Sequence, residues 1–90
     1  MTVDAARAVR SERAQVLAEI ALGRRKATDV LRRPPACARE LDVYDVVRAI
    51  RGFGRDRTRV IFERADVWPH THVDELTAAQ RTRLIDVLPT

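Results

Sequence analysis

The first quarter of the chain has the apolar spacing of one amphipathic helix. From Asp4 to about Leu22 the residues are mostly alanine, arginine, glutamate, leucine and valine, with no glycine or proline, and such residues favour helix. The apolar positions that recur at helical spacing are Val9, Val16, Leu17 and Ile20. The pattern therefore predicts a long N-terminal helix that ends at Gly23 and buries one apolar stripe.

Two shorter helices are predicted in the middle of the chain. The first begins at Ala27 or Thr28 and ends before Pro34-Pro35, because the residue before a proline avoids the helical region. The second follows Asp42, whose side chain is placed to cap it. Its inward positions are Val43, Val46, Val47 and Ile50. We expect this helix to stop at the glycine hairpin, Gly52 to Gly54.

A fourth helix is predicted after the glycine hairpin. It runs from about Arg55 to Ala65 or Asp66, and Trp68-Pro69 closes it. The side chains predicted to face inward are Val60, Ile61 and Ala65. The segment from His70 to Glu75 is predicted to be a loop.

A capping box starts the last predicted helix. Thr77 is followed three residues later by Gln80, the spacing at which a side chain and a backbone amide cap each other. The buried side of this helix is predicted to be Leu84, Ile85 and Leu88, with an end near Pro89. Since no segment alternates as a strand does, the predicted fold class is all-α: a small bundle of four to five helices with a helix-hairpin-helix core.

Length and composition narrow the class of function. Ninety residues predict one domain, residues 1–90, with an N-terminal helix at 1–22 and a compact core at 23–90. A domain this small has little stability to spare for a deep catalytic cleft. Cys37 is the only cysteine, so no intramolecular disulfide and no cysteine zinc finger can form. No apolar run is long enough to span a membrane, and the first residues lack the apolar core of a signal peptide. We expect a cytoplasmic, non-enzymatic binding protein.

The basic residues are concentrated in two segments. Overall, 17 basic residues outnumber 13 acidic ones for a net charge of +4. From Gly23 to Arg33 five cations face only Asp29, and this segment is called the second basic patch below. From Arg48 to Arg64 six arginines face two acids. Arginine supplies 16 of the 17 cations, a bias that suits phosphate binding but that a GC-rich genome also produces. The charge indicates a polyanionic partner.

The glycine hairpin is the segment whose residues carry recognisable chemistry. Glycines permit positive φ and let another backbone or a phosphate come close. The amides at the start of the following helix point outward, where the helix dipole favours an anion. The arginines around this helix start are Arg51, Arg55, Arg57 and Arg59. Each cation there costs about 0.3–1 kcal/mol, a cost that a bound phosphate would reverse. The alternative is an ordinary solvated helix face beside an ordinary turn.

Four stretches resemble a known family. They are Arg10-Ser11-Glu12-Arg13-Ala14-Gln15-Val16, then Val30-Leu31, then Val43 to Ile50 with Gly52-Phe53-Gly54-Arg55-x-Arg57, and Val73-x-x-Leu76-x-x-x-Gln80-Arg81-x-x-Leu84. From about Arg10 to Leu88 the chain resembles the actinobacterial integration host factor family. The resemblance implies a helix-two-turns-helix fold like that of a small-subunit ribosomal protein. It also implies a nucleoid-associated protein that binds and shapes double-stranded DNA with little sequence specificity.

The resemblance implies a set of DNA-binding residues and further partners. The DNA-binding candidates are Arg51, Gly52, Phe53, Gly54, Arg55, Arg57 and Arg59 at the glycine hairpin, with Arg24, Arg25 and Lys26 in the second basic patch. The side chain of Phe53 is expected to pack on Trp68 or Ile50 rather than on a base. Because some family members assist phage integration, a recombinase is a further expected partner. The location implied is the nucleoid, and a monomer is favoured.

One turn departs from the family pattern. Where the family carries a basic, glycine-containing turn before the last helix, this chain has Asp74 and Glu75. From Val67 to Thr90 three acids outnumber two arginines. A second phosphate contact from this turn is therefore in doubt.

Other chemistry was weighed against DNA binding. His70, His72 and Asp74 have a spacing that allows metal ligation in an extended loop, but loop and cap roles are preferred, so no metal and no cofactor are predicted. Ser11 and Cys37 are the candidate nucleophiles, and neither has a histidine close in sequence. Two other binding functions stay open: an RNA- or ribosome-associated module, and a protein-interaction module whose arginines only aid solubility.

Overall fold

The structure, a computed structural model, describes residues 3–89 and is helical throughout its regular elements. Met1, Thr2 and Thr90, which complete the predicted domain, lie outside the described residues. The five helices are α1 (Val3–Ala21), α2 (Ala27–Arg32), α3 (Val43–Arg48), α4 (Arg55–Ala65) and α5 (Ala78–Val87). Single 3-10 turns lie at Ala36–Ala38 and Val73–Glu75. The all-α prediction is confirmed, and within residues 3–89 no helix is both long and apolar enough to cross a bilayer.

Two helices end at a residue with left-handed backbone conformation. The N–H groups of that residue and the next one donate hydrogen bonds to carbonyls of the last helical turn. After α1, Gly23 has φ +75, and the N–H groups of Gly23 and Arg24 donate to the carbonyls of Ile20 and Glu19. After α4, Asp66 adopts φ 55 with the equivalent pair of bonds to Glu63 and Phe62. The predicted stop at Gly23 is confirmed. The stop of α4 comes at Asp66, two residues before Trp68-Pro69.

The core is formed mainly by side chains of α2 to α5. Its largest fully buried apolar residues are Leu31, Leu84, Val30, Val43, Val46, Val47 and Val73. One inward prediction for α4 was wrong: Val60 is 42% exposed, whereas Phe62 is 3% exposed. The buried face of α4 is formed by Thr58, Ile61, Phe62 and Ala65. Leu84 and Leu88 are buried as predicted, and Ile50 and Ile85 are half-buried.

Helix α1 lies on the core only through its second half. Val16 and Ile20 are buried, whereas Val9 and Leu17 are half-buried. The guanidinium of Arg13 donates to the carbonyl of Cys37 at 2.9 Å and lies 3.4 Å from the Glu40 carboxylate. These contacts fix α1 against the turn at Ala36–Ala38.

Asp42 lies at the N-cap position of α3, but its side chain does not cap the helix. The first amides of α3 instead donate to the loop before α5: Val43 N–H to the Thr71 carbonyl at 2.9 Å and Tyr44 N–H to the Pro69 carbonyl at 3.0 Å. The Asp42 carboxylate is thereby left to contact His70 at 3.2 Å and His72 at 3.8 Å. The predicted capping bond was wrong because residues far away in sequence supply the acceptors.

The loop before α5 is partly ordered by backbone bonds. Asp42 and His72 form an isolated antiparallel bridge, and Val73 N–H donates to the Leu41 carbonyl at 2.9 Å. The capping box at the start of α5 is confirmed. Gln80 N–H donates to Thr77 Oγ1 at 3.1 Å, and Thr77 N–H donates to Gln80 Oε1 at 2.9 Å.

Candidate nucleic-acid interface

The glycine hairpin joins α3 to α4 through a tight turn. Phe53 N–H donates to the Ile50 carbonyl at 3.0 Å, and Gly52 between them has φ +86. An L-residue is strained in that conformation, so the turn requires glycine at position 52. Gly54 does not use the positive φ that glycine permits: it is the extended N-cap of α4, with φ −84 and ψ −176. A Cβ built on Gly54 meets no atom within 4 Å, so this position faces open space.

Phe53 anchors the glycine hairpin in the core. Its side chain is 3% exposed, which confirms that it packs inward. Its carbonyl accepts a hydrogen bond from Arg48 Nη1 at 2.8 Å, and the Arg57 guanidinium lies 4.1 Å from its ring centroid. The ring contacts of the described residues pair Trp68 with His70 instead of with Phe53. Phe53 thus positions Arg57 by a cation–π contact and has no surface left for a base.

The first turn of α4 presents unpaired amides beside this turn. Gly54 has no side chain that could cap them, and the first N–H groups of any helix lack acceptors within it. The first group to bond back is Thr58, whose N–H and Oγ1 both donate to the Gly54 carbonyl, at 3.1 and 2.8 Å. The amides of Arg55, Asp56 and Arg57 are therefore the anion-binding end of the helix dipole.

The arginines around this helix start differ in how free they are. Arg51 and Arg55 are exposed, and neither has an ion pair or side-chain hydrogen bond among the described residues. Arg59 lies 2.8 Å from Glu63, an exposed pair of the kind that contributes about 0–1 kcal/mol. Arg57 keeps its charge at the surface while its guanidinium is stacked on Phe53. Arg55 and Arg57 therefore lie in the first turn of α4, whose amides are open, and Arg51 lies in the turn before it.

The second basic patch runs from the end of α1 through α2 and is partly neutralised. Arg25 Nε donates to the Glu19 carboxylate at 2.7 Å. This hydrogen bond, together with one from Gln15, holds the pKa of Glu19 below its ordinary value. Arg24 and Lys26 are exposed and have no ion pair within residues 3–89. No hydrogen bond or ion pair of the described residues joins this patch to the glycine hairpin, so the two are separate groups of cations.

Two arginines of α5 have structural partners that the sequence did not reveal. Arg81 donates to the carbonyl of Leu31 at the end of α2, and to that of Leu76 at 3.2 Å. Arg83 donates to the carbonyl of Ala65 at 2.8 Å, at the end of α4. A guanidinium at the C-terminal end of a helix is favoured by the helix dipole. Both side chains therefore hold helix ends together, and the exposed Asp74 and Glu75 dominate the turn before α5.

Of the three possible metal ligands named from the sequence, the fold keeps His72 and Asp74 together and turns His70 away. His72, Asp74 and Glu75 place possible ligand atoms within 4.8 Å of one another, whereas His70 turns to Asp42. The metal set considered from the sequence therefore does not assemble. The carboxyl of Asp45 next to this loop has a raised pKa, because of partial desolvation and repulsion from Asp42.

The candidate nucleophiles lie on two different elements. Ser11 is exposed on α1, and Cys37 is half-buried in the turn at Ala36–Ala38. No hydrogen bond joins either side chain to a histidine in the part of the chain that the structure describes.

Comparisons with known proteins give one structural relative. No family model matches the sequence, and no curated protein matches it. The chain is similar to a solved structure of sIHF bound to an 8-base-pair palindromic DNA, with a TM-score of 0.81 and 23% sequence identity. The match covers 91% of this chain and 94% of that chain. This protein therefore has the helical fold seen in sIHF, the integration host factor-like fold that the sequence resemblance implied.

Proposed function

We propose that the protein is an architectural DNA-binding protein that holds the phosphate backbone of double-stranded DNA at the glycine hairpin. The observation that carries the proposal is the exposure of Arg51 and Arg55, without ion pairs among the described residues, around the uncapped amides of α4. Cations at this end of a helix are unfavourable unless an anion joins them. The fold adds support, because the similar solved structure is of a protein bound to DNA.

The composition of the glycine hairpin favours backbone contact over base reading. Gly52 and Gly54 offer no side chain, and that of Phe53 is buried. The remaining donors are backbone amides and arginines, which fit phosphate oxygens in any sequence. Binding through phosphates alone positions a protein on DNA without telling one sequence from another. We therefore propose little sequence specificity, a nucleoid location, action as a monomer and a recombinase as a partner during DNA rearrangement.

Salt dependence of duplex binding tests the proposal. Contact with about four phosphates gives a slope near −3.6 for log affinity against log salt, since each contact contributes about −0.9. The double variant Arg51→Gln/Arg55→Gln should bind every random-sequence duplex more weakly. Its slope should be shallower, about −1.8 instead of −3.6. The matched control is Arg39→Gln/Arg64→Gln, which removes the same charge at two exposed sites outside the glycine hairpin.

The outcomes separate DNA binding from its alternatives. Equal effects of the two double variants would show that only net charge matters and would contradict a site at the glycine hairpin. Absence of duplex binding at low salt would contradict the proposed function itself. A structured RNA that displaces the duplex at far lower concentration than unlabelled duplex does would identify RNA as the ligand instead.

A further inference from the structure

A groove of about 820 Å³ runs along α4 from its arginine-rich start. Arg55 lies towards one end and Asp66 towards the other, with the Arg59–Glu63 ion pair between them. Aromatic side chains line the space between them: Tyr44, Phe62, Trp68 and His70. We call this the aromatic groove. Because Arg55 belongs both to the aromatic groove and to the glycine hairpin site, the groove begins at that site.

The aromatic groove contains three of the four Phe, Tyr and Trp residues of the chain. The Tyr44 ring stacks on that of Phe62, with centroids 6.3 Å apart and planes 21° apart. The His70 ring lies 6.2 Å from Tyr44 and 5.7 Å from Trp68. Phe62 is buried beneath them, whereas Trp68 is 69% exposed. The rings thus form a continuous surface whose outermost member, Trp68, has a free face.

The exposure of Trp68 is not explained by folding. An indole is among the largest apolar side chains, and its burial normally contributes strongly to stability. Here the residues on both sides, Val67 and Pro69, are more buried than Trp68 itself. Its nearest ring contact, His70, meets it edge to face at 68°. An exposed aromatic surface beside charged groups is typical of a ligand site.

The charges at the two ends of the aromatic groove fit one class of ligand. An unstacked nucleotide has an anionic phosphate at one end and a planar base with N–H donors at the other. Arg55 matches the phosphate, since it has no ion pair among the described residues. The exposed carboxylate of Asp66, which has no ion pair among the described residues, can accept from base N–H groups, and the aromatic rings accept the base face. An acidic peptide would match the arginine end but would be repelled at the carboxylate end.

We infer that the aromatic groove binds a single unstacked nucleotide at a strand end or bulge of the DNA held at the glycine hairpin. The base stacks on Trp68, and its phosphate pairs with Arg55. This inference rests on the proposed function, because the groove receives a nucleotide from DNA already bound at the hairpin. It adds a preference for DNA with unpaired bases, which backbone contact alone does not provide.

The test compares a blunt duplex with the same duplex carrying a short unpaired tail, each labelled for fluorescence polarisation. Stacking of one base on an aromatic side chain strengthens binding by at least about fivefold, so the native protein should prefer the tailed duplex by that factor. Trp68→Leu should abolish the preference and leave the affinity for the blunt duplex unchanged. The control is Val60→Ala, which removes apolar surface from another exposed residue of α4 that does not line the groove.

A second readout uses the fact that Trp68 is the only tryptophan. Its fluorescence in the native protein should be quenched by saturating tailed duplex and change little with blunt duplex. Equal affinity for the two duplexes, with unchanged fluorescence, would overturn the inference while leaving duplex binding intact. An equal loss of affinity for both in Trp68→Leu would also overturn it, because Trp68 would then serve the duplex site. Absence of binding to either DNA at low salt would refute the proposed function as well.

Discussion

Gly52 and Gly54 contribute to the candidate site for different physical reasons. The backbone conformation at position 52 requires glycine, because at φ +86 any other residue would be strained. Gly54 is conformationally ordinary, so its value to the site lies in the missing side chain at the start of α4. A residue that capped this helix would occupy the amides that we assign to phosphate. The two glycines therefore predict different responses to substitution.

Gly54→Asp should stabilise the protein and weaken DNA binding at the same time. Aspartate is among the best N-cap residues and exceeds glycine by a few tenths of a kcal/mol, with about 0.3–1 kcal/mol more from the helix dipole. Its carboxylate would repel the phosphate from the same amides. Urea unfolding should show the gain in stability, and duplex titration should show at least a tenfold loss of affinity.

The control for this prediction is Gly54→Ala, which adds a Cβ in open space without charge or capping oxygen. It should leave DNA affinity much closer to that of the native protein. If Gly54→Asp bound duplex DNA as tightly as Gly54→Ala does, the amides of α4 would not be part of the interface.

At the scale of the elements, the helices were predictable from local sequence signals. The contacts that the sequence did not predict are those between residues far apart in the chain. Gly23, Pro34-Pro35 and the Thr77–Gln80 capping box mark helix ends by their own chemistry, so those boundaries followed from the sequence. The first amide of α3, that of Val43, donates to the carbonyl of Thr71. The guanidinium of Arg81 donates to the carbonyl of Leu31. Such contacts join residues dozens of positions apart, which periodicity does not reveal.

The candidate site also has one part that the sequence predicts and one part that it does not. The glycine hairpin is contiguous in sequence, so its glycines and arginines were recognised before the fold was known. The aromatic groove joins Tyr44 of α3 to Trp68 and His70 of the loop that follows α4. The sequence indicates Trp68 only as a helix stop and a packing partner for Phe53, since its exposure depends on the packing of these segments. Composition shows only that aromatic residues are few, and their grouping is visible in the structure alone.

The link between α1 and the second basic patch gives a pH-dependent prediction. The Arg25 hydrogen bond lowers the pKa of Glu19 in the folded protein. The folded state therefore favours the carboxylate, and the stability from this pair is present above the unfolded pKa of about 4.3 and is lost as pH falls through the lower folded pKa. Glu19→Gln should be less stable than the native protein at pH 7, and the difference should shrink as pH falls below the unfolded pKa, as measured by urea unfolding.

The same substitution releases Arg25 and removes an acid from the second basic patch. If this patch contacts phosphate, Glu19→Gln should raise affinity for duplex DNA by about twofold or more at low salt. Glu12→Gln makes the same change of charge on the exposed first half of α1. A rise of the same size in both variants would indicate a general effect of net charge and would remove Arg25 from the set of DNA contacts.

At the scale of the whole molecule, the net charge of +4 conceals an uneven distribution. Free arginines surround the start of α4, whereas Arg81 and Arg83 are bonded to helix-end carbonyls beside the acidic turn before α5. The field around such a molecule attracts a polyanion to one region and repels it from another. The protein should therefore approach DNA with the glycine hairpin leading, and its association rate should fall steeply as salt rises.

The uneven burial of α1 has a consequence for motion. Only the second half of this helix is fixed by core side chains and by Arg13, so its earlier turns have little tertiary packing to protect them. Segments of this kind open without unfolding the rest of the molecule. Backbone amides in residues 7–12 should exchange with solvent deuterium long before those in residues 16–21. The first turns of α1 would then be the part of the molecule that can change conformation while the core stays folded.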